Sequence, residues 1–593
     1  MARSFRRILA RTLAFALVVA VAGPLGALPA AGQEAKQPTA VGTGGAIATV
    51  DVLASQAGLD VLEDGGNAVD AAVAAAAVLG VTEPFSCGIG GGGFMVIYRA
   101  SDGSVTTIDH RETAPSAMHP QSFWEDGAPL PFGDARWSGL SAGVPGSVRG
   151  WNRALSRFGT MSLAELLRPA IRVANEGFEV DQTFHDQVVP NEDFFDDITS
   201  TSEVYLDPDG TAPDVGSTFR NPQMAQAYRR IARLGPKGFY RGAIADAMVT
   251  AVQDPPLTAD ANHEWRPGVM TMRDVRGYVA PLREPTHVEY RGLDVFGMGP
   301  PSSGGSTGGE ALNILEGWDL GSLPREQALH YYLEASAFSF ADRNAYLGDE
   351  DFVDVPLDGI LSQGFADERR ELITEEAATK PVPPGDPWPY DGAGGSAGSV
   401  ATAAGRGETT THLTVSDRWG NVVSYTYTIE STGGNGIVAP GWGFLLNNEL
   451  TDFNFDAVGH PNSVEGGKRP RSSMSPTIVL EEGRPVLAVG SPGGSMIITT
   501  VLQILVNHFD FGMTLPDAIA AARASQRNTG NVFAEPGFRT AWEAALGARG
   551  HTFTTSAEIG AATGIAFLPG GVVVAAAEPT RRGGGSALVE DPA

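Results

Sequence analysis

The sequence predicts an α+β fold, and three observations carry that reading. Apolar residues recur at helical spacing in "VLASQAGLDVLEDGGNAVDAAVAAAAVLG" (52–80) and in "EQALHYYLEASAFSFADRNAYLG". The runs "THLTVS" and "VVSYTYTI" alternate with a period of two around a glycine turn. Helical and strand patterns alternate again near the end, in "TVLQILVNHFDFGMTLPDAIAAARAS" and then "GIAFLPGGVVVAAAEP". With 593 residues, 42% of them hydrophobic, the chain has material for two or more units or one large multilayer domain.

The elements follow in order. Arg3, Arg6, Arg7 and Arg11 precede an apolar run, Leu13 to Ala22, and then Gly23, Pro24 and the small-residue patch "ALPAAGQEA". This is the layout of a secretory signal peptide over residues 1–32, with cleavage after Gly32 and a secreted, periplasmic or extracellular destination. The run is shorter than the ~20 apolar residues of a spanning helix. A net charge of −28 argues against nucleic acid or an anionic membrane as the main partner. The single Cys87 excludes an intrachain disulfide.

Residues 52–80 read as two helices, with Gly65 and Gly66 stopping the first and Asn67 capping the second beside Asp70. In "GIGGGGFMVIY", Gly88, Gly90 and Gly93 match G-x-G-x-x-G. A helix precedes these glycines and a strand follows, the reverse of a dinucleotide-binding turn. "GLSAG" places Ser141 in a nucleophile-elbow pattern, but Pro145 and Gly146 oppose the helix start that such an elbow needs. The histidines form no H-E-x-x-H or comparable pair, so neither a metal nor a cofactor is expected. Helical stretches such as "SLAELLRPAIRVANEGF" alternate with Pro/Gly loops through the middle. Residues 381–408 are Pro-rich and then Gly/Ala/Ser-rich, the composition of an exposed, mobile linker.

The linker ends at the threonines of "GETTTHLTVS". If Asp417 and Asn421 close a three-residue loop with Gly420 left-handed, Thr410 lies opposite Thr428. A hydroxyl pair across a ladder is a mild stabiliser in any sheet. The alternative is chemical. A threonine that begins a chain has its own α-amino group as base, and self-cleavage, in which the hydroxyl attacks the preceding carbonyl, creates such a start. A flexible segment upstream and a rigid strand downstream suit it.

From "LASQAGLDVLEDGGNAVDAAVA" through "GIGGGGFMVIY", "IDHRETAP", "GVPGSVRGW", "FADRNAYLGD", "TTHLTVSDRWGNVVSYTYTI", "LLNNELTDF" and "KRPRSSMSPTIV" to "GSPGGS", the chain resembles the γ-glutamyltransferases (glutathione hydrolases) of the N-terminal-nucleophile hydrolase class. The resemblance implies a four-layer αββα sandwich. It also implies a precursor that cuts itself into a large fragment, 33–409, and a small catalytic one, 410–593, held together as a non-covalent heterodimer.

It makes Thr410 the nucleophile, two residues before His412, and Thr428 its orienting partner. Arg111 becomes the clamp on the substrate's α-carboxylate, helped by Ser472 and Ser473, while Glu430, Glu449 and Asp452 accept the α-ammonium. Gly493 and Gly494 become the oxyanion hole. The implied substrates are glutathione and other γ-glutamyl amides, with water or an amino acid as acceptor. This chain departs from the pattern at Glu430 and Glu449, where many members carry Asn and Gln, and at Arg471, where leucine is usual. The short interval from Phe453 to Lys468 resembles members without an active-site lid. An open cleft keeps two related readings in view, a cephalosporin-acylase-like enzyme and a poly-γ-glutamate hydrolase. A non-catalytic extracellular binding protein on the same fold is the third.

Overall fold

The computed structural model describes residues 35–392 and 409–593, and the expected signal segment lies outside them. Residues 35–593 form one unit. In chain order the elements that matter are β1 (Thr39–Thr49), α1 (Val52–Glu63), α2 (Ala68–Thr82), β2 (Gly92–Arg99), β3 (Ser104–Asp109), β4 (Thr286–Tyr290), β5 (Leu293–Gly297), α3 (Gly304–Leu315) and α4 (Arg325–Tyr346). After the threonines come β6 (Thr411–Ser416), β7 (Val422–Thr428), β8 (Thr477–Glu481), β9 (Arg484–Gly490), α5 (Met496–Phe509), α6 (Leu515–Ala520), β10 (Thr563–Leu568), β11 (Val572–Ala577) and β12 (Ser586–Pro592).

Antiparallel pairing runs β3-β2-β7-β6-β1-β11-β10-β9-β8-β5-β4, with β12 also on β1. The path turns back at β1, whose residues 39–42 pair with β11 and 46–48 with β6. The β6/β7 layer therefore stacks face to face on the β9/β10 layer. Polar side chains join the two: Ser424 Oγ donates to Val489 O at 3.2 Å, and Thr477 N–H to Ser424 Oγ at 3.1 Å.

Helices cover both outer faces. All of α2 is buried; its run of Ala and Val presents no polar face and sits against Leu413, Val415, Val423 and Tyr425. Helices α3 and α5 cover the other sheet, where Leu312, Val501 and Leu505 meet Ile478 and Leu487. This is the αββα sandwich expected from the resemblance. Strands from before and after residue 409 interleave throughout it, so the two expected fragments share one sheet pair and one set of cores.

Local expectations meet the structure in detail. Asn67 caps α2 in a capping box with Asp70, and Gly65 takes φ +87°. The hairpin register places Thr411 opposite Tyr427 and His412 opposite Thr426, with Gly420 at φ +88°. The glycine run does precede a strand, and its smallness has a reason: a Cβ on Gly91 would collide with the carbonyl of Thr428.

The stretch 500–525 is helical over most of its length, in two pieces: α5 stops at Phe509 and α6 starts at Leu515, with Gly512 at φ +66° between them. One expectation needs correction: residues 381–392 are not a free linker. Val382 is buried and exchanges two hydrogen bonds with Asn528, and Gly385 N–H donates to Asp342 at 2.6 Å. The anchoring comes from partners distant in sequence, which composition does not show. The rest of the expected linker, 393–408, lies outside the described residues.

Candidate active site

The hairpin alternation turns Leu413 and Val415 toward α2, which leaves the other face polar, with His412 and Thr414 on β6 and Thr410 just before it. Across the ladder stand Thr428 and Thr426. His412 is sealed between the sheets, with Nδ1 2.7 Å from Thr426 Oγ and Nε2 3.1 Å from Thr414 Oγ. Burial pushes its pKa down to about 3, so it is a neutral spacer whose hydrogen bonds fix the start of the strand.

At that start, Thr410 Oγ lies 2.6 Å from the carbonyl oxygen of Thr409 and 3.2 Å from Thr428 Oγ. Thr428 in turn donates to the Thr409 carbonyl at 2.9 Å and accepts the Glu430 N–H at 2.8 Å. Two hydroxyls thus converge on one peptide carbonyl. Such polarisation prepares the carbonyl carbon for attack by an adjacent oxygen.

Thr410 and Thr428 open into a cleft of ≈ 350 Å³, which also exposes Arg111, Glu430, Glu449, Asp452, Ser472, Ser473 and Gly494. Gly493 adjoins it. Gly493 (φ +129°) and Gly494 (φ +55°) immediately precede the N-terminus of α5, where helix amides and the dipole favour negative charge. Among the described residues neither glycine N–H has an acceptor.

The charged wall is densely paired. Arg111 is fully buried and ion-pairs with Glu449 through Nη1 and with Asp452 through Nη2 at 2.5 Å, while Nε donates to Pro470 O at 3.1 Å. Burial opposes its charge, but Glu449 and Asp452 outweigh that and hold its pKa above the ordinary value. Burial also raises the Glu449 carboxyl well above the usual carboxylate range, against the pull of Arg111. Glu430, at φ +80°, accepts from Ser431 Oγ at 2.5 Å and from Asn448 Nδ2; burial, and then Asp452, lift it to about 7. Ser473 Oγ accepts from Arg343 at 2.7 Å, and Ser472 Oγ accepts the Met474 N–H.

Other candidates fall elsewhere. Ser141 sits in a short 3-10 turn and spends its hydroxyl on the carbonyls of Arg136 (2.7 Å) and Ser138 (3.0 Å). His330, Glu334 and His551 gather away from the cleft, where Lys380 Nζ pairs with Glu334 at 2.6 Å.

Sequence reasoning assigned no role to Arg343, although it lies within the quoted "FADRNAYLGD", and missed Arg582 altogether. Arg582 reaches Thr410 O (2.7 Å), Ser86 Oγ (2.7 Å) and Glu83 (3.0 Å) from a left-handed backbone, φ +53°. Nothing in "EPTRRGGGS" announces a contact with a residue so far upstream.

A family model described as gamma-glutamyltranspeptidase matches residues 54–588. A glutathione hydrolase proenzyme of Bacillus subtilis is 39% identical over 523 residues, covering 87% of this chain and 86% of its own. A proenzyme of the same name from Escherichia coli is 36% identical over 556 residues, 90% of each chain. Among solved structures, a cephalosporin acylase from Bacillus halodurans superposes with a TM-score of 0.82 at 28% identity, over 95% of this chain and 98% of the acylase.

Proposed function

Because the chain belongs to the gamma-glutamyltranspeptidase family, we propose that its cleft is a γ-glutamyl transfer site built on Thr410. The protein is a γ-glutamyl hydrolase and transferase acting on glutathione and related γ-glutamyl amides, made as a precursor that processes itself. The convergence of the Thr410 and Thr428 hydroxyls on the Thr409 carbonyl carries the assignment of the scissile bond to Thr409–Thr410.

In processing, Thr410 Oγ attacks the Thr409 carbonyl carbon. The new C–O bond replaces the C–N bond as the nitrogen of Thr410 takes up a proton, and water hydrolyses the ester. The products are a carboxylate at Thr409 and a free α-amino group on Thr410. In catalysis that amine accepts the Oγ proton while Oγ attacks the substrate's γ-carbonyl, and it returns the proton to the departing amine. Gly493 and Gly494 face the tetrahedral oxyanion. Water or an amino-acid amine then resolves the γ-glutamyl ester. Arg111, Ser472 and Ser473 hold the substrate's α-carboxylate, and Glu430, Glu449 and Asp452 its α-ammonium.

The fragments 33–409 and 410–593 stay together as a heterodimer, because their strands alternate in both sheets. Export through the N-terminal segment completes the proposal; among the described residues no helix is long and apolar enough to cross a membrane. N-terminal sequencing of the smaller fragment tests the scissile bond: Thr410 as its first residue supports the assignment, and any other start refutes it. The acylase-like reading is favoured by the cephalosporin acylase likeness and is separated by substrate, since it requires hydrolysis of non-glutamyl amides at rates equal to γ-glutamyl anilides.

A further inference from the structure

Arg111 is matched twice over in the cleft, by Glu449 and by Asp452, and brings no net positive charge to an incoming anion. Two other arginines line the same cleft in a different state. Arg343 donates to Ser303 Oγ (2.8 Å), Asn344 Oδ1 (3.0 Å) and Ser473 Oγ (2.7 Å), all neutral acceptors. Arg471 donates through Nη1 to the carbonyls of Arg343 (3.1 Å) and Leu347 (3.3 Å) at the C-terminal end of α4, and its buried Nε has no partner. Among the described residues neither guanidinium has a carboxylate within ion-pair distance, although both are at least 95% buried. Asp452, the acid whose charge acts on both, is engaged by Arg111.

Two buried like charges without a counter-ion are costly, and a bound anion removes the cost. Burial and the neighbouring Arg471 already depress the pKa of Arg343. The C-terminal end of α4 offsets part of both charges, since Arg343 lies in its last turn and Arg471 donates to its carbonyls, but it supplies no counter-ion.

We propose that Arg343 and Arg471, with Ser473 held by Arg343 in the same cleft wall, form an anion subsite that supplies the net positive charge for the carboxylate of the acyl donor. The two departures in sequence then compensate each other. Glutamate at position 449 adds a second carboxylate to Arg111 beside Asp452, and arginine at position 471 replaces the positive charge so consumed. The inference rests on the γ-glutamyl reading of the cleft and names the source of the net charge behind the contacts that Arg111, Ser472 and Ser473 make to the donor's carboxylate.

The test compares γ-glutamyl-p-nitroanilide with 4-aminobutyryl-p-nitroanilide, which keeps the ammonium and the scissile amide but lacks the carboxylate. The expected result for Arg471→Leu is unchanged self-processing and a preference for the γ-glutamyl substrate reduced at least about tenfold in kcat/KM, mainly through KM, as for loss of a charge-assisted contact. Arg471→Gln, which keeps a donor for the α4 carbonyls, serves if the leucine variant does not fold. Glu449→Gln combined with Arg471→Leu leaves Arg111 paired with Asp452 alone, restores the cleft's net charge and returns the preference to within about threefold of the parent. A preference unchanged within about twofold in both single variants, or no recovery in the double variant, overturns the proposal. A parent enzyme that does not cleave the γ-glutamyl anilide refutes the underlying reading of function instead.

Discussion

The hydroxyl of Thr428 donates to the carbonyl oxygen of Thr409 at 2.9 Å, so the far strand of the hairpin holds the peptide bond proposed for attack by Thr410, the residue just before the near strand. Thr428→Val keeps the shape and removes the donor. Cleavage of the precursor should slow by about 10²-fold, the usual effect of losing one oxyanion donor, and Thr428→Ser should restore most of the rate. A time course of fragment appearance on denaturing gels reads it.

Thr410→Ala leaves no oxygen at 2.6 Å from the Thr409 carbonyl. This variant should fold, run as a single uncut chain and release no nitroaniline from a γ-glutamyl anilide. Thr410→Ser should still process. Gel mobility with intact mass checks both.

Glu430 titrates at about 7, raised by burial and then by Asp452. Its negative charge toward a substrate ammonium is present above that pH and fades below it, so KM for γ-glutamyl donors should rise as pH falls through about 7. Glu430→Gln should raise KM at pH ~8 and flatten this part of the profile. Folding is linked with the opposite sense. The native state keeps a proton that the unfolded state releases above the ordinary carboxylate pKa, so this group's contribution to stability declines from that range up to about 7. The glutamine variant should therefore melt higher than the parent at pH ~8, which calorimetry measures.

Arg582 holds the carbonyl of Thr410 from a backbone conformation that glycine adopts freely. Arg582→Gly also strands the buried Glu83, so the melting temperature should fall, while processing and hydrolysis measured well below that transition should each slow by roughly tenfold or more. If hydrolysis by the processed variant is unaffected, Arg582 does not position the nucleophile.

A Cβ on Gly490 would run into the ring of His412. Gly490→Ala should cost about 1–3 kcal/mol of stability by forcing the sheets apart. Activity should fall with it, because His412 fixes the strand that begins at Thr411. Denaturant unfolding beside kcat reads the two effects.

The chemistry was legible where it was local. Alternating β-branched residues around Asp417–Asn421 determine which threonines face one another, and the register observed is the one that pattern requires. The capping box at Asn67 is legible for the same reason. What the chain does not display are pairings set by the stacking of layers: Arg111 with Glu449, Arg343 with Ser473, Arg582 with Thr410. Each joins segments more than a hundred positions apart, through side chains whose types alone suggest surface ion pairs. Residues 381–392 show the same limit, since Asn528 and Asp342 hold a stretch whose own composition lacks anchors.

The alternation of strands across position 409 makes scission a one-way event for the molecule. An uncut polypeptide reaches its native form in a first-order process at any dilution. Once cut, denatured halves must find each other by collision, each lacking neighbours for its edge strands, so recovery becomes second order and competes with aggregation. A processed enzyme melted at low concentration is thus lost, while its uncut Thr410→Ala counterpart returns on cooling.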